Sequence, residues 1–482
     1  MTQLGESVAI IPPPPKDPEP QKQEREPKKL RVSLFFDGTM NNRMNIEARE
    51  KKTAAYQKHG DDGSSYENGR TNIAIMEPHL EKTAKDYDFY HKEYIEGIGT
   101  FADGDDSTIW GGGFGAGDSG VVKRAEEGIK KVLLWILDLN EVDKYKHKIA
   151  KLSIDVFGFS RGAAAARYAI HLLLKDKNNE LKGRLEGYGY VVEDDAVEAK
   201  FAGLYDTVLS YKLSQLFKGS SNRLEQKAIK HAKKAIHLAA ADEHRKNFPL
   251  HNIKGAKANG GEEYYLPGVH SDVGGSYNQA NETEIQKLLA EELKQKKSLN
   301  ITYMLEAKEK MKINDGWYFD VLEDKENLVK QGWYKEVDLK GNENPLNEIW
   351  IEKEYDWEDD FEEEENPYAS LYVERKNIHT AYSNIPLKIM ADFARKSGGE
   401  LTISAKLEDR ADIVIKGSKL TKLEGLVKDS VSSKSASKPD YWLKSKVIKE
   451  HRNKHLNFSA KAGLTNGPRM KKNKRVRYIY DA

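Results

Sequence analysis

A serine lies in a short glycine-flanked turn between a strand pattern and a helix pattern. Residues 158–162 read GFSRG, a G-x-S-x-G motif; apolar residues alternate before it in LSIDVF, and the helix-forming AAAARYAIHLLL follows it. A sharp turn between strand and helix lifts the hydroxyl of Ser160 above the edge of a sheet, where it can act as a nucleophile. Gly158 and Gly162 lack the Cβ atoms that would clash in such a turn. The motif therefore predicts a nucleophilic serine, with a purely structural turn as the alternative.

A serine nucleophile needs a base, and the base needs a group that orients it. In chain order, the strand end GLYDTV provides Asp206 and the strand end PGVHSDVGG provides His270. Active-site side chains collect where the strands of a parallel sheet end. We therefore expect Ser160, Asp206 and His270 to form a catalytic triad. The alternative is that Asp206 caps a turn and that His270 bonds within its own turn.

The same chemistry needs backbone N–H donors for the oxyanion. One donor is expected from Arg161, at the start of the helix after the nucleophile. The second is expected from Gly38 or Thr39, in the loop after the first strand (FFDGTMNN), because a glycine lets the backbone approach the substrate closely.

Several other acidic residues and histidines are expected to have no catalytic role. Asp37 should cap the loop after the first strand, and Asp272, a rival acid close to His270, should brace the HSDVGG turn. Asp103, Asp105 and Asp106 match no calcium loop and favour a polar turn. Four further histidines on or after a Lys/Ala-rich stretch are predicted to be solvated: His231, His237, His244 and His251.

Composition narrows the possible functions. The chain has 482 residues, with 78 Lys+Arg against 77 Asp+Glu, so a uniformly basic nucleic-acid-binding protein is excluded and no nucleic-acid partner is expected. There is no cysteine, which excludes thiolate catalysis and Cys-ligated zinc. The glycine-rich stretch 111–117 lacks the Gly-Lys-Ser/Thr ending of a phosphate loop and is expected to form a flexible rim of the pocket. We therefore expect neither a cofactor nor a metal.

Strand patterns that alternate with helix patterns predict a mostly parallel sheet flanked by helices. The first strand is expected from Leu30 and a long amphipathic helix around Leu224 to Ala240. The predicted domains, listed in order, are a disordered Pro-rich arm (1–29), a catalytic core (30–290), a mixed helical and acidic insertion that could serve as a lid or cap (291–440), and a basic segment that packs back on the core (441–482).

The N-terminal sequence shows no signal-peptide pattern, and no apolar run approaches the length of a membrane span. Synthesis in the cytoplasm without a signal peptide is therefore expected. Residues 443–477 contain 12 Lys/Arg and one Glu, and aromatic residues lie in or beside this run at Tyr441, Trp442, Phe458, Tyr478 and Tyr480. This composition favours contact with an anionic surface such as a phospholipid membrane.

A set of motifs, taken in order, resembles the catalytic domain of bacterial type VI secretion lipase effectors. The motifs are FFDGTMNN, YIEGIGT, the glycine-rich stretch, GFSRGAAAAR, GLYDTV, AADEHRKNFP and LPGVHSDVGGSY. The resemblance covers about residues 30–280 and continues faintly to HLNFS. It implies an α/β-hydrolase-like fold with insertions and a basic C-terminal extension. It also implies phospholipase A-type chemistry through Ser160, Asp206 and His270.

The resemblance further implies a spike or tube protein of the secretion apparatus as a partner, and an immunity protein that protects kin. It implies delivery into the periplasm of a target cell. Two other functions remain open from the residues alone: an intracellular carboxylesterase on soluble acyl substrates, and a non-catalytic protein that binds anionic surfaces.

Overall fold

A parallel sheet forms the centre of the molecule. The computed structural model describes residues 26–61, 63–81, 85–106, 119–142, 148–174, 180–209, 225–277, 304–305, 311–336, 348–354, 368–375, 378–396, 400–415, 420–462 and 467–482. The predicted arm, the glycine-rich stretch and the acidic run that begins at Glu354 lie, wholly or mostly, outside these residues.

The strands of the described chain are β1 (Pro27–Phe36), β2 (Phe89–Ile95), β3 (Lys148–Phe159), β4 (Val191–Val192), β5 (Val197–Tyr205), β6 (Lys234–Ala240), β7 (Leu250–His251), β8 (Glu262–Leu266), β9 (Met304–Leu305), β10 (Met311–Trp317), β11 (Ile349–Glu354), β12 (Tyr368–Val373), β13 (Ile378–His379), β14 (Met470–Lys471), β15 (Lys474–Arg475) and β16 (Ile479–Tyr480).

The α-helices are α1 (Arg43–Glu50), α2 (Ala54–His59), α3 (Asn72–His79), α4 (Ser119–Val142), α5 (Arg161–Leu174), α6 (Glu180–Gly187), α7 (His270–Gly274), α8 (Tyr318–Lys330), α9 (Asn384–Lys396), α10 (Lys406–Ile415), α11 (Leu420–Ser432) and α12 (Lys446–His455).

The main sheet has the order β2-β1-β3-β5-β6-β8, with every neighbouring pair parallel, and β4 pairs with the first residues of β3. From β1 the chain crosses to β2 on one side and then returns to β3 on the other side. The strand order therefore reverses between β1 and β3. In open parallel sheets, ligands bind in the crevice at the carboxyl ends of the strands at such a reversal. The fold is α/β-hydrolase-like, as predicted.

Both faces of the sheet are covered, which explains why its strands read as nearly continuous apolar runs. Phe35 and Phe157 stack on one face, with ring centroids 4.6 Å apart. That face belongs to a buried cluster with residues of α3, α9, α10 and α11. Leu34 and Phe36 point to the other face, where they pack with α4, α5 and α6. The sheet is thus the shared core of two helical layers.

The segment predicted as an insertion contributes to this core. Helix α9 lies against β5, β6 and α3, so part of residues 291–440 covers the sheet of the catalytic core. Strands β10, β12 and β11 form a separate antiparallel sheet next to α8. From the basic segment, Trp442, Ile448 and Leu456 are buried in the same cluster as α9.

Two local predictions are wrong. The long helix expected around Leu224 to Ala240 is instead a short 3-10 helix at Gln226–His231 followed by strand β6. The repeated small and apolar residues of KAIHLAA fit a helix stripe, but a strand buried on both faces shows the same composition. The first strand begins at Pro27, three residues before the predicted start at Leu30.

The reversal between β1 and β3 depends on a close backbone contact at Gly162. A Cβ added there would lie 2.2 Å from the carbonyl oxygen of Asp37 and 2.4 Å from that of Phe36. Helix α5 therefore approaches the end of β1 more closely than any side chain permits.

We expect Gly162→Ala to lower the free energy of unfolding by about 1–3 kcal/mol, since backbone must move to admit the methyl group. Gly425→Ala is the matched control, because a Cβ in that helical position meets nothing within 4 Å. The control should stabilise the protein by up to about 1 kcal/mol. Chemical denaturation of both variants measures the difference, and equal stabilities would contradict the close contact.

Candidate active site

Ser160 lies in a strained turn between β3 and α5. Its φ of 58° is in the left-handed region, which a non-glycine residue adopts at a cost of roughly 1–2 kcal/mol. The backbone N–H of Ser160 donates to the carbonyl of Tyr205 at 3.1 Å. A Cβ on Gly158 would lie 2.6 Å from Cα of Ala163, so the glycine lets the helix turn back directly over the strand. These features match the strand–turn–helix setting of a nucleophilic serine.

His270 and Asp206 form a hydrogen bond. Nδ1 of His270 lies 2.5 Å from Oδ2 of Asp206, and both side chains are buried. The imidazole ring packs against Phe159, with centroids 4.5 Å apart, and against the edge of Phe248 at 5.0 Å. Phe159 directly precedes Ser160, so the His270 ring packs against the neighbour of the predicted nucleophile. The structure thus brings the three predicted residues to the same edge of the sheet.

The carboxylate of Asp206 is enclosed by donors. Besides His270, the N–H of Ala240 donates to Oδ1 at 2.8 Å, and Arg477 donates to Oδ1 at 2.6 Å and to Oδ2 at 2.8 Å. Burial raises the pKa of Asp206, but the charge of Arg477 and the bond from His270 outweigh burial and hold that pKa well below its usual range. Asp206 is therefore ionised at neutral pH.

The environment of His270 keeps its imidazole neutral near pH 7. Burial lowers the pKa of His270 below 6.5, and the carboxylate of Asp206 opposes that shift without reversing it. With Nδ1–H directed at Asp206, Nε2 carries the free lone pair. A neutral imidazole in this tautomer can accept a proton from a hydroxyl.

Glu243 is a residue at the site that the chemical reasoning from sequence missed. Its carboxylate accepts from the N–H of His270 at 3.2 Å and from Nε and Nη2 of Arg245 at 3.0 and 2.9 Å. The Arg245 guanidinium lies 3.4 Å from the centroid of the Phe248 ring, which contacts His270. Glu243 and Arg245 thus hold His270 from its backbone and its ring. Both lie in AADEHRKNFP, one of the motifs that carry the resemblance, and this motif is the sequence signal that could have identified them as site residues.

Asp272 has structural partners. It accepts from the N–H of Val269 at 3.0 Å and from Nδ2 of Asn457 at 2.7 Å. Burial raises its pKa to about 7, so it is a poor candidate for the ionised orienting group. The structure places Asp206 against the imidazole of His270, and places Asp272 at the turn that begins α7.

The loop after β1 lies next to the turn that holds Ser160. Asp37 is buried and accepts from the N–H of Gly38 at 2.7 Å and from Thr71 at 2.6 Å; Tyr94 donates to its other oxygen. Burial raises the pKa of Asp37 to about 6. A Cβ on Gly38 would lie 2.7 Å from the Phe159 ring. The loop therefore packs against Phe159, the residue that precedes Ser160.

Gly38 and Thr39, the two oxyanion donors predicted in this loop, differ in whether their backbone N–H is already hydrogen-bonded. The N–H of Gly38 is committed to the Asp37 side chain, whereas no described residue accepts from the N–H of Thr39. Arg161 begins α5 beside the turn, as its position in the motif requires. Of the two loop residues, Thr39 is therefore the one whose N–H has no acceptor among the described residues.

The prediction that four histidines are solvated is wrong for three of them. His237, His244 and His251 are buried, and only His231 is exposed. His237 bonds to Glu263 at 2.8 Å and accepts from the N–H of Thr207 at 3.1 Å. This buried pair supports the residue that follows Asp206. Its partner was hidden in the sequence because Glu263 lies on a different strand.

The predicted polar turn has protein partners. Asp105 lies 2.5 Å from Nδ1 of His59, and Asp106 accepts from the hydroxyl of Ser65 at 2.8 Å. Within the described ranges, no group of three or more His, Asp or Glu side chains is arranged to hold a metal ion. None of the helices that the structure describes is long and apolar enough to cross a membrane.

Several charged side chains of the basic segment form ion pairs with the rest of the protein. Arg452 pairs with Asp242 at 2.8 Å, Arg475 pairs with Asp324 at 2.7 Å, and Arg477 reaches Asp206. Two of the aromatic residues expected at an interface pack against the core instead. Trp442 is buried and donates to the carbonyl of Tyr265, and Phe458 packs against Trp333 and Tyr334. Exposed members of the segment include Lys471, Lys472 and Lys474, together with Tyr441, Tyr478 and Tyr480.

Comparison with protein families gives one match. Residues 175–307 match the family described as "T6SS, Phospholipase effector Tle1-like, catalytic domain". The matched range contains Asp206 and His270. A comparison with curated proteins gives no match.

Solved structures give a fold match over nearly the whole chain. A structure of the Tle1 effector bound to the VgrG spike from the Type 6 secretion system is 20% identical, covers 95% of this chain and 94% of that chain, and has a TM-score of 0.55. An uncharacterized protein from Pseudomonas aeruginosa is 19% identical over 52% of this chain and 42% of that chain, with a TM-score of 0.34. An esterase from Thermogutta terrifontis is 14% identical over 57% of this chain and 86% of that chain, with a TM-score of 0.24.

The family match confirms the resemblance predicted from the motifs. It supports a lipase function in type VI secretion, and hence a hydrolase. The first solved structure shows a similar fold over 95% of this chain.

Proposed function

We propose that the protein is a serine esterase that hydrolyses acyl esters of glycerophospholipids, a phospholipase of the A type, and that it acts as a secreted antibacterial effector. The observation that carries the proposal is the 2.5 Å bond between Asp206 and His270, at the sheet edge where the strained turn holds Ser160. The match to a phospholipase effector family supports the choice of substrate.

In the proposed mechanism, Oγ of Ser160 attacks the ester carbonyl while Nε2 of His270 takes the hydroxyl proton. Asp206 holds Nδ1–H and stabilises the imidazolium that forms. The N–H groups of Thr39 and Arg161 receive the negative charge on the carbonyl oxygen. The imidazolium then gives its proton to the departing alcohol, which leaves an acyl group on Ser160. Water, deprotonated by His270, releases the fatty acid in the second half-reaction.

The proposed partners follow from the comparisons and the segment's exposed charges. The Tle1 effector is bound to a VgrG spike, and we propose that this chain is loaded on a spike protein of the same kind. Delivery into the periplasm of a target cell would bring it to the phospholipid membrane. An immunity protein in the producing cell would then protect kin.

The first test is covalent labelling. A fluorophosphonate probe should label the wild type and fail to label Ser160→Ala, which keeps the backbone and the Cβ atom of the turn and should therefore fold like the wild type. Ser271→Ala, another serine at the same edge, is the matched control and should be labelled like the wild type.

Fatty-acid release from phosphatidylethanolamine–phosphatidylglycerol vesicles then separates the candidate functions. Labelling together with release supports the proposed function. Labelling and cleavage of a soluble ester without release would favour the carboxylesterase. Absence of labelling would favour the non-catalytic surface-binding protein.

The second test concerns the acid. We expect Asp206→Asn to lower kcat roughly 10⁴-fold, as in other triads where the amide favours the wrong tautomer. It should also lower the free energy of unfolding by about 3–5 kcal/mol, because it leaves the buried charge of Arg477 uncompensated.

Asp272→Asn is the control for this test. It should retain most of the activity, because Asp272 contacts Val269 and Asn457. Near-normal turnover in Asp206→Asn together with loss in Asp272→Asn would overturn the assignment of the acid.

The third test concerns membrane docking by exposed charge. Lys471, Lys472 and Lys474 are exposed, so we expect their simultaneous change to Glu to weaken binding to anionic vesicles at low salt. Binding of the wild type should also weaken between 0.1 and 1 M salt, since the Debye length falls from about 10 Å to about 3 Å over that range. Co-sedimentation measures both effects.

The matched control changes exposed lysines elsewhere, Lys123, Lys130 and Lys422, to Glu. Cleavage of a short soluble ester should be the same in all these proteins. Vesicle binding that is indifferent to salt and to both triple variants would show that docking does not depend on this charge.

A further inference from the structure

The side chain of Arg477 is buried and forms a bidentate ion pair with Asp206, the proposed catalytic acid. Its Nη1 and Nη2 donate to the two oxygens of Asp206, at 2.6 and 2.8 Å. Nε donates to the carbonyl of Phe248 at 2.9 Å, and Nη1 also reaches the carbonyl of Ala240 at 3.0 Å. Only 7% of the Arg477 side chain is exposed. The guanidinium is thus fixed in one orientation, with its fork matched to the carboxylate.

Four hydrogen bonds saturate the carboxylate of Asp206. Oδ1 accepts from Arg477 and Ala240, and Oδ2 accepts from Arg477 and His270. A carboxylate offers about four lone-pair sites, so none remains. His270 and Arg477 share Oδ2, and each donor to that atom makes it a weaker acceptor for the other.

The charge of Arg477 affects whether His270, the proposed base, carries a proton. Asp206 and Arg477 together carry no net charge, so the buried site needs no proton on His270. Without Arg477, a fully buried carboxylate would lack a counter-ion, and His270 would be the nearest group able to supply one. A protonated His270 cannot accept the proton of Ser160.

Other charged and titratable groups face His270 as well. From the loop after β6, Arg245 disfavours the imidazolium and Glu243 favours it, and these two are paired with each other. Asp272 lies on the same helix and bonds to Val269 and Asn457. The effect of Arg477 is therefore exerted through Asp206, against a background in which the other arginine is already compensated.

Backbone pairing on both sides fixes the position of Arg477. Residues 467–482, which we call the strap, run beside residues 244–255. Arg469 N–H donates to the carbonyl of His244 at 2.8 Å, and the carbonyls of Tyr478 and Tyr480 accept from Leu250 and Asn252 at 2.8 and 3.0 Å. Strand β16 pairs in parallel with β7. The strap is not part of the main sheet, yet it supplies the group that contacts the catalytic acid.

We propose that Arg477 is a positioning residue that holds Asp206 ionised and supplies its counter-charge, so that His270 stays neutral and able to act as base in mildly acidic solution. The inference rests on the proposed function, because it takes Asp206 and His270 as the acid and base of that reaction. Among the described contacts, Arg477 bonds to Asp206, Phe248 and Ala240, and none of these bonds involves Ser160.

The main test is the pH dependence of kcat/KM for a soluble short-chain ester. We expect Arg477→Gln to lower kcat with little change in KM. We also expect it to move the acid limb of the profile upward by at least about half a pH unit, since a nearby opposite charge is worth one unit or more. Lys257→Gln, which removes the same charge from an exposed position just beyond residues 244–255, should leave the profile unchanged.

A second variant guards against misfolding of Arg477→Gln. Arg477→Lys keeps the charge but loses the bidentate hydrogen bonding to Asp206. The acid limb of its kcat/KM profile should therefore lie near that of the wild type, while kcat falls. A uniform loss of activity with an unshifted acid limb in Arg477→Gln would overturn the proposal and leave Arg477 a purely structural residue. Wild-type turnover in Arg477→Lys would show that the bidentate contact with Asp206 is not needed for positioning.

An observation independent of turnover separates this proposal from the proposed function. In Ser160→Ala protein with ¹³C-labelled histidine, NMR titration follows protonation of His270, assigned by its loss in His270→Gln. Adding Arg477→Gln should raise the midpoint of that titration. If the wild type hydrolyses no ester but the midpoint still moves, the coupling stands and the proposed function fails. An unmoved midpoint overturns the coupling, whether or not the protein is an esterase.

Discussion

The buried carboxylate of Asp206 is the charge around which the carboxyl edge of the sheet is arranged. It lies at the end of β5 with none of its side chain exposed, so its ionised form depends on hydrogen bonds from other elements. Those donors come from the end of β6, from the start of α7 and from the strap. Parallel strands that end together bring the first two within reach, and only the strap adds a full positive charge. The orientation of the His270 imidazole depends on this carboxylate, and in our proposal the protonation of the site depends on it as well.

The fold class and the three triad candidates could be predicted because each has a local signal. A strand followed by a glycine-flanked serine and an alanine-rich helix specifies its own turn, and Gly158 and Gly162 have the close contacts that the turn requires. Asp206 and His270 each follow a strand pattern, and parallel topology places all strand ends at one edge. Residues far apart in sequence meet there without any pairwise signal.

What could not be predicted depends on such pairwise contacts. Arg477 reads as one more cation in a basic run, because nothing near it in sequence identifies Asp206 as its partner. His237 reads as polar and hence solvated, although Glu263 and Thr207 satisfy its ring nitrogens inside the core. The sequence of strand β6 predicts a helix, because burial on both faces removes the alternation that distinguishes a strand. In each case tertiary contact outweighs local composition.

The strap has a consequence for the order of folding. The contact between Arg477 and Asp206 joins residues 271 positions apart, so closing that loop carries a large entropic penalty unless intervening elements have already assembled. A chain in which the main sheet has formed but residues 467–482 have not yet docked would have its strands in place and an uncompensated anion in its core. Such an intermediate would resemble the native molecule in secondary structure and still lack the ion pair beside His270. If His270 is the base, as we propose, activity would then appear with the late steps of folding rather than with formation of the sheet.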